Sequence, residues 1–133
     1  MKLSTYAIIL AIVSLFYGIA LVAFPVQFMQ NYGITIDGNT TIIVRLLGAA
    51  MFSYAILYWM NRNIPASDRS WAGILWGGVV FNIINGVTIL KGLMDGFGNS
   101  MSWSNIALSA IFTLGSLYFV LKRTDPVKAP KLT

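Results

Sequence analysis

Four stretches of about 20 mostly apolar residues, at 4–24, 41–60, 70–90 and 102–121, dominate this chain, and about 20 apolar residues is what a helix needs to cross the hydrocarbon core of a bilayer. Lipid offers no water to bond an open backbone amide, so stretches of this kind must be helical. The connections between them are too short to fold alone. The expected fold class is all-α: an integral membrane, antiparallel four-helix transmembrane bundle that forms a single domain over residues 1–133. Charged residues make up only 10% of the chain, against roughly a quarter in soluble domains, which excludes a solvated globule.

The first stretch follows Lys2 and holds the small residue Ala23, as a secretory signal does, but it runs well beyond the roughly 7–15 apolar residues of a signal core. It reads instead as the first crossing. Basic residues are retained on the cytoplasmic side of a membrane. Lys2, Arg62, Arg69, Lys122, Arg123, Lys128 and Lys131 fall on the side shared by both termini and the second loop, and Lys91 alone falls opposite. Both termini are therefore expected to be cytoplasmic. The net charge of +5 reads as a topology signal, and no nucleic-acid partner is expected because no basic face gathers.

Between the crossings, Pro25 suits the first position of a helix and Gly33 its end, which predicts a short interfacial helix over 25–33 with Val26, Phe28, Met29 and Tyr32 on its apolar side. Asp37-Gly38-Asn39 reads as a turn, with Asn39 or Thr40 capping the second crossing. Ser67 or Asp68 is the expected cap of the third. Lys91 and Asp95 have the spacing of a helical ion pair, although Gly92, Gly96 and Gly98 suggest that the helix breaks there. Trp59, Trp71, Trp103, Tyr6, Tyr58 and Tyr118 lie near segment ends, as aromatic belts do, and the deeper Trp76 reads as packing. The stretch 122–133 forms a basic tail able to attract an anionic leaflet.

The inventory of reactive side chains is narrow. The chain has no His, Cys or Glu, and its acids are Asp37, Asp68, Asp95 and Asp125. Disulfides, thiolate nucleophiles, imidazole bases and the usual zinc and haem ligand sets are excluded, so no catalytic residue, metal or cofactor is assigned and the chain is not expected to be an enzyme. Tyr17, Tyr54, Ser53 and Arg45 are the nearest thing to reactive groups within the crossings.

Transmembrane helices associate through small residues and interhelical hydrogen bonds. Ser14 with Gly18, and Gly73 with Gly77, are the expected packing positions, with Ala49/Ser53 and Asn82/Gly86 at the same spacing. Polar groups inside a membrane are costly unless partnered. At a rise of about 1.5 Å per residue, Arg45, Asn82, Asn85 and Asn105 all fall at or outside the midplane, together with Ser109. They form a candidate intramembrane site for an anion or lipid headgroup, with Arg45 either donating to the ligand, snorkelling to phosphates, or pairing with Asp37 or Asp95.

Phe24-Pro25, the stretch ending Tyr32-Gly33-Ile34, Arg45-Leu46-Leu47-Gly48-Ala49 and Trp59-Met60-Asn61-Arg62 together resemble small four-helix integral membrane proteins of prokaryotes. The resemblance covers the first half of the chain and brings no established activity with it. Small multidrug transporters are similar in size and helix number, but they depend on a membrane-embedded glutamate that this chain lacks. The expected function is that of a non-catalytic structural or accessory subunit of a membrane complex or a homo-oligomer, in contact with lipid. The alternative is a carrier or channel for a small anionic or lipid-like solute at the Arg45/Asn site. The expected location is a prokaryotic cytoplasmic or inner membrane, as a multi-pass protein.

Overall fold

The computed structural model describes residues 2–123, an all-α structure of five helices: α1 Leu3–Ala23, α2 Pro25–Asn31, α3 Gly38–Asn61, α4 Arg69–Met94 and α5 Ser102–Arg123. Four of these, all but α2, are long and apolar enough to cross a membrane. The residues of the basic tail beyond Arg123 lie outside the described residues, while Lys122 and Arg123 complete the last turn of α5.

Helix ends follow side-chain capping more than hydropathy. Asp37, not Asn39 or Thr40, caps α3: its carboxylate accepts the Thr40 amide at 2.7 Å and its carbonyl accepts the Thr41 hydroxyl at 2.7 Å. The bond from Thr40 holds the Asp37 carboxyl below its usual pKa, and the cap starts the helix three residues before the apolar run. Asp68 caps α4 through the Ser70 amide and hydroxyl. Gly92 does not break α4, which continues to Met94 and places Lys91 Nζ 2.9 Å from Asp95. Helix α2 ends where expected, with Gly33 at φ 72° and the Gly33 and Ile34 amides returning to Gln30 and Met29.

The long helices associate as two pairs. α1 packs along α3, α4 packs along α5, and α3 and α4 touch only slightly. In the first pair the helices cross at Gly18 and Gly48: a Cβ on Gly18 would lie 3.0 Å from the Phe52 nitrogen, and one on Gly48 would lie 2.9 Å from Leu21 Cβ. Gly18 therefore packs as its sequence context suggests. Its partner Gly48 does not belong to any of the expected small-residue pairs. Among the described residues Gly73 and Gly77 pack against no other helix, since an added Cβ at either position meets no atom within 4 Å outside its own stretch of helix. That pair therefore does not close the bundle.

The two pairs meet at the end where α1 begins and α5 ends. Leu3, Tyr6, Ala7, Leu10, Tyr58, Trp71, Leu75 and Phe119 form the buried cluster there. Tyr6 of α1 donates to the Phe112 carbonyl of α5 at 2.9 Å, lies 3.0 Å from Ser116 Oγ, and stacks on Phe119 at 5.1 Å between centroids. Gly115 makes room for this ring, because a Cβ there would sit 2.8 Å from it. Trp71 is not a belt residue but the centre of this cluster, wholly buried, with its indole donating to the Ile64 carbonyl at 3.2 Å. Trp76, expected to pack, is 49% exposed on the bundle exterior.

The exterior is apolar. Phe16, Ile43, Ile84, Val87 and Ile111 are all exposed, a surface that water would penalise and lipid tails would solvate.

Candidate functional site

Away from the cluster at the terminal end, the two helix pairs separate and leave a cleft of about 370 Å³ along the middle of the bundle. A volume of this size is at the lower end of the range of small-molecule sites, about 300–1,000 Å³. α1 contributes Leu10, Val13, Ser14, Tyr17 and Leu21 to the wall. α3 contributes Leu47, Met51, Tyr54 and Tyr58. On the opposite side stand Gly78, Phe81, Asn82, Asn85, Thr88 and Ile89 of α4, with Ser102, Asn105, Leu108, Ser109 and Phe112 of α5.

Helical spacing explains the polar stripe. Gly78, Asn82, Asn85 and Ile89 recur at intervals of three and four on α4, as do Ser102, Asn105, Ser109 and Phe112 on α5, so each set shares one face. Asn85 Nδ2 donates to Ser109 Oγ at 2.8 Å and to Asn105 Oδ1 at 3.4 Å, tying α4 to α5 across the cleft wall. Asn82 Nδ2 donates to the Gly78 carbonyl of its own helix at 2.8 Å. The three asparagines are half-buried.

At the end opposite the termini, α2 closes the cleft. Its Phe28 and Met29, with Tyr32 just beyond, project into the opening. Tyr17, Phe28 and Tyr32 form a ladder of rings, with centroids 5.6 and 5.4 Å apart. The α2–α3 connection is fastened to the α4–α5 connection: Asn99 Nδ2 donates to the Asn31 carbonyl at 2.9 Å, and Gly33 lies against Asn99. Gly98, at φ 86°, has no room for a Cβ because Ser102 Oγ would lie 2.8 Å from it. The apolar residues of α2 that suggest a surface helix thus face the interior of the bundle in large part.

The cleft opens sideways at the α3/α4 seam. The exposed residues of its lining are Leu47 on α3 and Thr88 on α4. Tyr54 and Phe81, 5.8 Å apart between ring centroids, also border a shallow groove with Trp76, Gly77, Val80 and Ile84 on the outer side of that seam.

Of the residues expected to form the site, Asn82, Asn85 and Asn105 come together and Arg45 does not. Arg45 is exposed, does not line the cleft, and makes no hydrogen bond, ion pair or ring contact among the described residues. Depth along the helix was legible, but angle around it was not. At roughly 100° per residue, Arg45 lies about 180° from Tyr54, so it points away from the cleft. It does not pair with Asp37, which caps α3, or with Asp95, which holds Lys91. Ser14 lines the cleft as well as following the Gly18 packing stripe. Tyr17 and Tyr54 also line it, whereas Ser53 is exposed and donates back to the Ala49 carbonyl at 3.1 Å.

Every residue of the cleft wall is uncharged. No group of His, Cys, Asp or Glu among the described residues is placed to hold a metal ion. What the arrangement offers is an apolar volume with one amide-bearing side, shielded at both ends and accessible at a seam. Comparison of the chain with protein-family models, curated proteins and solved structures finds no match.

Proposed function

We propose that this chain is a multi-pass integral membrane protein that holds a small molecule in the cleft between its two helix pairs, without chemical conversion. The observation that carries this reading is the cleft itself: about 370 Å³ bordered by all four long helices, with Asn82, Asn85 and Asn105 on one side. Four close-packed crossings with no function beyond structure have no need of it. Binding is favoured over catalysis because the wall supplies no carboxylate, imidazole, thiol or amine for general acid–base work.

Orientation follows from charge. Lys2, Arg62, Arg69 and Lys122 belong to the end where α1 begins and α5 ends, and Lys91 to the other, which supports cytoplasmic termini. The α3/α4 seam then faces lipid, so a ligand dissolved in the bilayer reaches the cleft without crossing water. Carriage across the membrane and presentation to a larger membrane complex are both compatible with this reading. The open Gly73–Gly77 face favours association with a second transmembrane helix as an accessory component or homo-oligomer.

Photolabelling tests the binding reading. An eight-carbon alcohol bearing a diazirine, added to the full chain in nanodiscs, is expected to label Met51, Tyr54, Phe81 or Leu108 in a saturable manner, as read by peptide mass spectrometry. Labelling confined to exterior residues such as Phe16, Ile43 and Ile111, and rising linearly with probe, would contradict it.

A further inference from the structure

We propose that the occupant of the cleft is an uncharged amphiphile: a single short hydrocarbon body whose head both accepts and donates hydrogen bonds, such as an alcohol or primary amide. This inference rests on the binding reading above and adds the chemistry of the ligand.

The head group is specified by which amide atoms are already used. Asn85 spends its NH₂ on Ser109 and Asn105, and Asn82 spends a proton on the Gly78 carbonyl. Among the described residues, Asn82 Oδ1, Asn85 Oδ1 and Asn105 Nδ2 have no hydrogen-bond partner. The asparagine stripe thus presents two carbonyl acceptors beside the Asn105 amide and the second Asn82 proton as donors, a capacity costly to leave unmet in an apolar surrounding. A hydroxyl or carboxamide can satisfy both kinds at once.

Ions fit poorly on the same grounds. A carboxylate or phosphate only accepts, so on the asparagine stripe it leaves the Asn82 and Asn85 carbonyl oxygens unsatisfied and repels them, and the hydroxyls and amides that can donate to it carry no charge. An ammonium only donates and has no carboxylate to neutralise it. With Arg45 turned away from the cleft, no charge in the wall compensates either ion, and an unpaired charge out of water is strongly disfavoured. The anion site suggested by depth alone is therefore replaced by a site for a neutral head.

The body is specified by the remainder of the wall. Leu10, Val13, Leu47, Met51, Phe81 and Leu108 give it an apolar environment, with Met able to follow an irregular hydrocarbon outline. A cleft of this volume accommodates one short chain and not the two full-length tails of a membrane phospholipid. The seam between Leu47 and Thr88 supplies a lateral entrance for a molecule that partitions into the bilayer.

A matched series tests the head-group chemistry. Octane, 1-octanol, octanamide, octanoate and octylammonium compete with the diazirine alcohol on the full chain in nanodiscs, each compared at equal concentration in the membrane phase. Octanol and octanamide are expected to displace the label at concentrations at least 10-fold lower than the other three. Asn85→Leu and Asn105→Leu are expected to remove that preference while leaving the labelling saturable. Equal displacement by octane, or stronger displacement by octanoate or octylammonium, overturns the head-group assignment while leaving the cleft as a binding site. Labelling that none of the five displaces defeats the binding reading itself. Adding 1-hexadecanol tests the body: weaker displacement than by octanol is expected of a cleft that takes one short chain, and stronger displacement overturns the short body and assigns the site to the membrane's own long-chain lipids, the head-group chemistry standing in both cases.

Discussion

Gly48→Leu is expected to separate α1 from α3 and to cost at least about 3 kcal/mol, the upper end of the usual penalty for overpacking. An added Cβ there would sit 2.8 Å from Val22 Cγ2, 2.9 Å from Leu21 Cβ and 3.0 Å from the Val22 nitrogen. A side chain can rotate away, but the backbone nitrogen of a packed helix cannot do so without moving the helix. The gain in helix propensity from replacing Gly, about 1 kcal/mol, does not offset this. Gly73→Leu and Gly77→Leu are the controls, since among the described residues a Cβ added at either position meets nothing within 4 Å outside its own stretch of helix. They are expected to leave the stability of the monomer unchanged or slightly raised and to alter only its association with other helices. Unfolding by titration with a denaturing detergent, followed by far-UV circular dichroism or by the near-UV signal of buried Trp71, measures the difference. Equal loss at Gly48 and Gly73 would contradict the pairing of α1 with α3.

Tyr6→Ala is expected to cost about 3–5 kcal/mol, as truncation of a large buried side chain does, and to uncouple the two helix pairs. Tyr6 is 3% exposed, stacks on Phe119, and bonds to Phe112 and Ser116. It is the main polar link between α1 and α5. Tyr6→Phe keeps the ring and loses the hydroxyl, for an expected cost of about 0.5–1.5 kcal/mol. That cost stays small because the freed Ser116 hydroxyl can turn to the Phe112 carbonyl four residues earlier on its own helix. The same detergent titration reads both variants, and a Tyr6→Ala protein as stable as its parent would overturn the role given to this residue.

The helices were legible because 20-residue apolar runs with so few charges leave a chain few alternatives, and their misplaced ends have local causes. Asp37 extends α3 backward by capping it, and Lys91 with Asp95 supports α4 past Gly92. The packing partners were much less legible. Helices that are apolar on every side show no periodic stripe to reveal which face is buried, so Gly18 was recognisable as a packing residue while its partner Gly48 was not. Gly73 and Gly77 have the same small-residue spacing, but their spacing alone did not show whether they face a helix of this chain or a second copy.

The asparagines of the site were legible through their cost in an apolar segment, and depth arithmetic brought Asn82, Asn85 and Asn105 to the same half of the bundle, Asn82 nearest its centre. The same arithmetic included Arg45, because a rise of 1.5 Å per residue locates a side chain along an axis and says nothing about the direction it faces. No pattern in the sequence showed that Phe28, Met29 and Tyr32 would close the cleft. Their position depends on the contact between Gly33 and Asn99, residues far apart in the chain.

Filling the cleft tests the central claim most directly. Ser14 is half-buried on α1 and lines the cleft facing the asparagine stripe, so an indole at this position has the cleft to occupy and gains packing contacts in doing so. The measurement is the amount of eight-carbon alcohol held by Ser14→Trp, counted by native mass spectrometry of protein released from nanodiscs. The expected result is a protein at least as stable as its parent that has lost saturable binding. A well-folded Ser14→Trp protein that binds the alcohol as its parent does would contradict the claim that the cleft between the two helix pairs is the binding site.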